Sequence, residues 1–177
     1  MDISQADYGL SLLNDCKYGH EALEKMIALT LLRGPLNPDP TSDQEEHRFK
    51  YALYPHAGTW RCANTIGQAL DINDPAVAVV ADNHTGPLPA SYSFIEVTAK
   101  SITIEAVKKA EDSDALIIRV VERHGINDDV TIKFATPIKS ATECNLLERE
   151  DTPVKFDAEG LHFTILPYEI RTFKVKI

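Results

Sequence analysis

The feature that most constrains this chain is an alternation of apolar and polar residues with a period of two. Successive side chains of a strand point to opposite faces, so each alternating segment predicts a strand with one face toward a core. Turn-forming clusters separate the segments, and short strands at such spacing predict a mainly β fold of antiparallel β-sandwich domains. The alternating segments are 8–13, 23–31, 49–53, 102–105, 116–121, 130–135, 161–165 and 173–177.

One segment between these strands has a helical pattern instead. Thr59 is a suitable N-cap for a helix that runs from Trp60 to about Leu70. Ala63 and Ile66 lie near the same stripe as the two end residues of this helix. The sequence therefore predicts one short helix within the β fold.

Two loops divide the chain into its predicted domains. Segment 34–44 holds three prolines and cannot be a continuous strand, whereas the segment 82–91, DNHTGPLPAS, is typical of a linker. We predict that residues 91–177 form a small antiparallel sandwich of about six or seven strands. Residues 1–90 contain only three alternating segments, too few for a two-layer core, and are predicted to be the C-terminal part of a larger, incomplete β-sandwich domain.

Charge and composition exclude several functional classes. The net charge of -9 disfavours binding to nucleic acid or to an anionic membrane, and no apolar run reaches the roughly 18 residues of a membrane span. The N-terminus lacks the basic and apolar regions of a signal peptide. Cys16, Cys62 and Cys144 are too few and too widely spaced for a disulfide framework. These features predict a cytoplasmic protein, the alternative being an export signal on a part of the polypeptide not present here.

Sequence motifs for catalysis or metal binding are missing. The chain has no glycine-rich phosphate loop and no nucleophile elbow. His20 and Glu21 begin a zinc-protease motif, but its fifth position is Glu24 instead of histidine. Cys16 as a nucleophile would need a lowered pKa and a paired base, and although Lys17 is adjacent, no base can be assigned. No catalytic residue and no metal ligand is predicted in this chain.

The stretch from Asn14 to Gly19, NDCKYG, is the most polar interruption of the strand pattern. In one interpretation it closes a hairpin between strands 8–13 and 23–31, with Gly19 at a positive φ. In the other it binds a polar ligand such as a sugar, because loops at sheet ends commonly carry binding groups. Asp15 and Lys17 would then bind hydroxyl groups through charge-assisted hydrogen bonds, and Tyr18 would stack on an apolar sugar face.

His56 is a second candidate for the same site. It leaves a strand in the stretch YALYPHAGTW and leads toward the predicted helix. It belongs either to a packed strand-to-helix corner, with Trp60 buried, or to the surface formed by the Asn14 loop. The sequence alone leaves both alternatives open.

Four stretches in a fixed order carry a family resemblance. They are YGLSLLNDCKYG (8–19), LTLLRGPLNPDP (29–40), HRFKYALYPHAG (47–58) and LPYEIRTFKVKI (166–177). Together they resemble the C-terminal part of the α-mannosidases of glycoside hydrolase family 38, in its bacterial and cytosolic branch. The resemblance covers essentially the whole chain, although segment 90–161 is similar mainly in layout.

The resemblance implies that the chain is part of a longer enzyme. Members of this family are similar in having an N-terminal α/β barrel, a helical domain and then β-sandwich domains. The resemblance implies that the first half of this chain is the C-terminal part of one of these, a supersandwich-like domain. The barrel holds zinc, or another divalent metal, and the aspartate nucleophile of a retaining mechanism, and none of these residues can be placed on this sequence. The chain alone is therefore expected to be inactive.

The implied role is that of a non-catalytic C-terminal β region in an enzyme that hydrolyses terminal α-mannosides of oligosaccharides. Its implied partners are the enzyme's own barrel and helical domain, the α-mannoside substrate and further copies of the enzyme in a homo-oligomer. On this view, Asn14 and Asp15 orient the barrel loops or bind substrate hydroxyls at the active-site rim, with Lys17, Tyr18 and His56 as further candidates. The alternative is a stand-alone carbohydrate-binding or oligomerisation β-sandwich. A binding module of that kind needs an aromatic platform, and the single tryptophan lies in the predicted helix.

Overall fold

Strands dominate the computed structural model, which describes residues 1–177. The chain divides into two units, Met1–Asp82 and Asn83–Ile177, and the division falls at the start of the proline-containing segment 82–91. No helix in the structure is long and apolar enough to cross a membrane.

The first unit holds a three-stranded antiparallel sheet, a separate hairpin and the only α-helix. The sheet has the order β1-β2-β5, so β5 is an edge strand, and β3 pairs with β4 alone. The elements are β1 (Asp2–Ser4), β2 (Tyr8–Asn14), β3 (His20–Leu23), β4 (Met26–Leu29), β5 (Tyr51–Ala57) and α1 (Thr65–Asn73).

Helix α1 covers one face of this sheet. The Ser11 hydroxyl lies 2.8 Å from the Thr65 hydroxyl, and the Tyr54 hydroxyl donates to the carbonyl of Ala63 at 3.0 Å, just before the helix. Tyr51 and Leu53, on alternate positions of β5, therefore point to the opposite face, where they are 56% and 62% exposed. The unit has one covered and one largely open sheet face.

The predicted hairpin between strands 8–13 and 23–31 is wrong. Strand β2 pairs with β1 and β5, and segment 23–31 is split between β3 and β4 by a turn that contains Glu24 at a φ of 46° and Lys25. Lys25, which occupies a position of the apolar face of this segment, lies in the turn. A local hairpin was the simplest expectation from sequence, but the actual partner of β2 lies about forty residues later.

The helix begins later than predicted. Ala63 donates its backbone N–H to Thr59 and Thr65 donates to Trp60, so a short turn occupies the predicted first residues of the helix. Asn64 then adopts a left-handed conformation with φ 53°, and α1 begins only at Thr65. A left-handed residue cannot continue a right-handed helix, which explains the delayed start.

The second unit contains two antiparallel sheets, of strand order β11-β10-β14-β8-β7 and β12-β13-β9-β6. Two of its strands have only two residues, too few for alternation to reveal them in sequence. The strands are β6 (Ile95–Val97), β7 (Ile102–Lys109), β8 (Leu116–Glu122), β9 (Asp128–Phe134), β10 (Ser140–Cys144), β11 (Thr152–Pro153), β12 (Lys155–Phe156), β13 (Leu161–Ile165) and β14 (Ile170–Lys176).

Both sheets contribute to one hydrophobic core in this unit. The fold prediction of a mainly β, antiparallel sandwich with one short helix is confirmed. Each fully buried apolar side chain contributes roughly 1.5–3 kcal/mol, so this core dominates the stability of the unit. Its buried members include Ile118, Val120, Phe173 and Val175 from one sheet and Val130, Ile132, Leu161, Phe163 and Ile165 from the other.

Candidate functional site

Asn14 ends β2 and shapes the polar loop that follows. Its side-chain Oδ1 accepts a hydrogen bond from the Lys17 backbone N–H at 2.6 Å. Its Nδ2 lies 3.2 Å from Nε2 of His20, at the start of β3. Asparagine commonly closes turns in this way, so the Asn14 side chain holds the loop conformation.

Asp15 ties the same loop to the segment before β5. Its Oδ1 accepts the Lys50 backbone N–H at 3.0 Å, and its own backbone N–H donates to the Lys50 carbonyl at 3.2 Å. The hydrogen bond from Lys50 holds the pKa of the Asp15 carboxyl below its ordinary value. The adjacent Cys16 thiol has a raised pKa because it hydrogen-bonds to Asp15, which argues against a nucleophilic Cys16.

Lys17 and Tyr18 project from this loop. The Lys17 ammonium lies 4.7 Å from the ring centroid of Phe49, within cation–π range. Tyr18 is 95% exposed, so its ring packs against nothing within the first unit. A fully exposed aromatic ring beside an ammonium is well placed to contact a ligand or another domain.

The loop forms one wall of a cleft of about 770 Å³. The opposite wall comes from the extended segment after β4, with Leu31, Leu32 and Leu36, and from the loop that contains Asp43 and His47. Lys17 and Arg33 place cationic groups at this cleft, and the Asp43 carboxylate accepts the Gly34 N–H at 2.8 Å.

The cleft joins polar groups to an apolar wall, a combination that suits a polar ligand or a docked domain. Sequence reasoning did not assign its second wall to the site. The available signal was segment 29–40, which belongs to the resemblance and lines the cleft through Leu31, Leu32 and Leu36.

His56 belongs to a different, buried cluster under the sheet. Its side chain is 2% exposed and its Nε2 lies 2.7 Å from Oδ2 of Asp2. The same carboxylate oxygen accepts the Ser11 hydroxyl at 2.6 Å. Burial alone would raise the pKa of the Asp2 carboxyl, but hydrogen bonds from Ser11 and His56 leave it lowered. The other imidazole nitrogen, Nδ1, is buried without a partner.

The interpretation that His56 shares a surface with the Asn14 loop is wrong. In the register of β2 and β5, His56 lies opposite Gly9, whereas Asn14 lies opposite Tyr51. Five residues separate these positions along the strand, about 17 Å at the usual rise of an antiparallel strand. The structure thus brings Asn14, Asp15, Lys17 and Tyr18 together and leaves His56 out. The Asp2 partner escaped sequence reasoning because it lies 54 residues away.

A metal centre is not supported by the residues of this chain. No three histidine, cysteine, aspartate or glutamate side chains are grouped so that they could hold a metal ion. All three cysteines are free, with Cys144 buried and the other two exposed. The donor set of a zinc site is therefore not present here, and no chemical step through a metal is assigned to this chain.

Two family models match the chain in succession. Residues 1–41 match the glycosyl hydrolases family 38 C-terminal domain, and residues 101–173 match the glycosyl hydrolases family 38 C-terminal beta sandwich domain. The first match includes the whole polar loop and the leucines of the opposite wall of the cleft. The second covers most of the sandwich in the second unit.

Known proteins similar to the chain are much longer than it. Human alpha-mannosidase 2C1 is 41% identical over 176 residues, which are 96% of this chain and 17% of the human protein. Alpha-mannosidase G of Dictyostelium discoideum is 35% identical over 179 residues, or 98% of this chain and 16% of that protein. The chain thus spans about one sixth of the length of the curated relatives it matches.

A solved structure has the same fold. The crystal structure of an alpha-mannosidase from Enterococcus faecalis V583 superposes with a TM-score of 0.77 at 23% sequence identity. The match covers 99% of this chain and 20% of that one.

Proposed function

Because the chain belongs to glycosyl hydrolase family 38, as its C-terminal β region, we propose that it is the non-catalytic end of a retaining α-mannosidase that hydrolyses terminal α-mannosides of oligosaccharides. The observation that carries this proposal is the succession of the two C-terminal family models along one chain. The first model matches within the first structural unit and the second model matches within the second unit.

The exposed apolar surface of the first unit supports a role in packing against the preceding domains. Tyr51 and Leu53 lie exposed on the free edge strand β5, and Leu32 and Leu36 are 51% and 74% exposed beside the cleft. An apolar surface of this kind is typical of an interface. We assign it to the enzyme's own barrel and helical domain, because the relatives carry most of their length outside the matched region.

The polar loop is the part of this surface that we place at the active-site rim. Asn14 and Asp15 fix its conformation through Lys17 and Lys50, while Lys17 and Tyr18 face the cleft. In this role Asn14 and Asp15 position the loop, and the Lys17 ammonium and Tyr18 ring contact the barrel or the substrate hydroxyls. The zinc or other divalent metal then belongs to the catalytic part of the polypeptide, and the setting is cytoplasmic, in keeping with three free cysteines.

The test is kcat/KM for an aryl α-mannoside in the complete enzyme that carries Tyr18→Ala. Tyr18 packs against nothing in its own unit, so its removal should leave the local fold intact. We expect a loss of about a hundredfold, equivalent to roughly 2.7 kcal/mol of transition-state stabilisation. Asp15→Ala should cost a similar factor, but through a displaced loop, because it removes the hydrogen bond to Lys50.

The matched control is Tyr92→Ala, which removes a half-exposed tyrosine of the second unit. Its kcat/KM should stay within about twofold of the parent value. Unchanged kinetics in Tyr18→Ala, with metal content and folding verified, would make the loop a strand connection only. Turnover of the mannoside by the 177-residue chain alone, with zinc supplied, would overturn the non-catalytic assignment.

The homo-oligomer is part of the same proposal. Light scattering of the complete enzyme at several concentrations should give a constant mass above that of one chain. A mass that rises continuously with concentration would instead indicate nonspecific association of exposed apolar surface.

A further inference from the structure

A polar groove lies on the outer face of the four-stranded sheet in the second unit. It has a volume of about 340 Å³, and Asp129, Thr131, Lys155, His162 and Thr164 line it with polar side chains. Along β9 and β13 these residues alternate with the buried residues that form the core, and Lys155 comes from the neighbouring short strand β12. The groove faces solvent.

The groove side chains are arranged as directly opposed cross-strand pairs. Thr131 lies opposite His162 and Asp129 lies opposite Thr164 in the register of β9 and β13. The Thr131 hydroxyl is 3.0 Å from Nδ1 of His162, and the Thr164 hydroxyl donates to Oδ1 of Asp129 at 2.7 Å. Lys155 lies opposite His162 on its other side.

An ionised carboxylate can only accept, so the Thr164 hydroxyl donates to Asp129. For the same reason Nε2 of His162, which lies 2.8 Å from Oδ1 of Asp157, carries a proton. In the Nε2–H tautomer of His162, Nδ1 accepts the hydroxyl proton of Thr131. The Thr131 and Thr164 oxygens therefore present only lone pairs to the groove, and Oδ2 of Asp129 adds a further acceptor.

The turn between β12 and β13 holds this arrangement in place. Asp157 donates its backbone N–H to the Gly160 carbonyl at 3.0 Å, and its Oδ1 also accepts the Glu159 N–H at 2.8 Å. Hydrogen bonds from His162 and Glu159 keep the pKa of Asp157 low, so the carboxylate stays ionised near neutral pH. Acceptors in fixed positions bind a ligand without the cost of ordering them first.

One cationic donor completes the groove. Lys155 is exposed and lines the groove, so the three N–H groups of its ammonium are available to a ligand. Several fixed acceptors beside a single donor match a ligand rich in hydroxyl groups, each of which both donates and accepts. A metal ion fits less well, because the Lys155 ammonium beside the acceptors would repel it. An anion fits less well, because the carboxylates of Asp129 and Asp157 would repel it.

We propose that this groove binds adjacent hydroxyl groups of a pyranoside, which donate to Thr131, Thr164 and Asp129 and accept from Lys155. We assign no chemical reaction to any of these groups. The choice of mannose as the sugar rests on the proposed function, whereas the class of ligand rests on the groove itself.

The experiment is a titration of the 15N-labelled 177-residue chain with methyl α-mannoside and with mannobiose, followed by amide chemical shifts. We expect saturable shifts confined to Asp129, Thr131, His162 and Thr164, with a Kd in the range of about 1–10 mM that is usual for a few exposed hydrogen bonds. The double variant T131V/T164V keeps the side-chain shapes and should raise the Kd at least about tenfold. Thr103→Val, a matched change on the other sheet, should leave it unchanged.

A second variant keeps the test independent of folding. Lys155→Met removes the donor from an exposed position and should weaken binding severalfold, even if the double variant is unstable. Shifts that do not saturate, shifts spread over the chain, or equal affinity in Lys155→Met would overturn the proposal. Saturable binding of methyl α-glucoside at the same amides would support the groove without a preference for mannose. Because no hydrolysis is measured, failure here leaves the mannosidase proposal standing, and the reverse also holds.

Discussion

Glu122 is a fully buried charged residue of the sandwich in the second unit. It ends β8 with no exposed surface, yet it is fully hydrogen-bonded. Its carboxylate accepts the backbone N–H groups of His124 at 2.6 Å, Gly125 at 2.8 Å and Tyr168 at 2.9 Å. One side chain therefore joins the loop after β8 to the turn between β13 and β14.

Replacement of Glu122 by Gln should destabilise the chain in a pH-dependent manner. Burial would raise the pKa of Glu122, but the N–H groups of Tyr168, His124 and Gly125 outweigh it and lower the pKa. A lowered pKa in the folded state gives stability that is complete above the unfolded value of about 4.3 and is lost as pH falls through the folded value. We expect E122Q to cost about 1.5–3 kcal/mol at neutral pH, because charged hydrogen bonds are lost.

Urea unfolding at pH 7 and at about pH 3 measures this difference. The gap in unfolding free energy between the parent chain and E122Q should narrow at the lower pH. Glu96→Gln, at the exposed position of strand β6, is the control and should behave like the parent at both pH values. A gap of the same size at both pH values would show that the Glu122 charge is not the source of the stability.

At the scale of elements, Arg171 joins the two sheets of the sandwich. From β14 its guanidinium donates to Oε1 of Glu143 on β10 at 2.7 Å and also pairs with the second carboxylate oxygen. It donates to the Thr164 carbonyl on β13 at 2.5 Å. The same group lies 5.0 Å from the Phe163 ring and 5.4 Å from that of Phe173.

Arg171→Lys should therefore be a disruptive substitution despite the retained charge. A lysine keeps one charge but loses the two-pronged contact to Glu143 and the planar group beside the two phenylalanine rings. We expect a loss of about 1–2 kcal/mol in unfolding free energy. Lys133→Arg on the outer face of β9 serves as the reciprocal control, and a loss in Arg171→Lys no larger than in that control would contradict the argument.

The turn between β12 and β13 requires glycine at position 160. Gly160 has a φ of +142°, and a Cβ there would lie 2.3 Å from the Ile132 carbonyl oxygen on β9. Gly160→Ala should cost about 1–3 kcal/mol or more, because neither backbone can move freely. Thermal unfolding measures it, with Gly86→Ala as a control that has open space around it. An alanine at 160 with the parent Tm would mean that the two strands separate at this point.

The elements with long alternation were predictable, and those that depend on distant partners were not. Segment 161–165 coincides with β13, because core residues on one face and polar residues on the other leave a full local signal. The pairing of β2 with β5 could not be inferred, since about forty residues and a separate hairpin intervene. The polar loop of the site could be predicted, because its four residues lie within one short stretch of sequence: Asn14, Asp15, Lys17 and Tyr18. The second wall of the cleft arises only after the chain folds back.

At the scale of the whole molecule, the two units differ in how much core they contain. In the first unit, Leu12 and Leu13 are the only apolar side chains buried to less than 9% exposure, and β5 is a free edge. The second unit holds the entire hydrophobic core described above. Regions with fewer buried apolar contacts open at a lower cost in free energy, so the two units should unfold separately.

Hydrogen exchange of the 177-residue chain should therefore show two levels of protection. Amides of β8, β9, β13 and β14 should exchange only through unfolding of the sandwich. Those of β2 and β5 should exchange at least about tenfold faster, equivalent to about 1.4 kcal/mol less local stability. Equal protection in the two sets would mean that the first unit is complete as it stands and needs no further domain.

The same measurement in the complete enzyme decides what the open face of the first unit is for. If Tyr51 and Leu53 pack against the preceding domains, burial of the exposed 56% and 62% of these two side chains would stabilise the unit by roughly 2–4 kcal/mol. Protection of the β5 amides should then rise to the level of the sandwich, while β8 and β13 change little. If β5 exchanges as fast in the complete enzyme as in the chain alone, the open face does not serve as the contact between domains. The proposal that the polar loop after β2 lies at the active-site rim would then lose the support of the strand beside it.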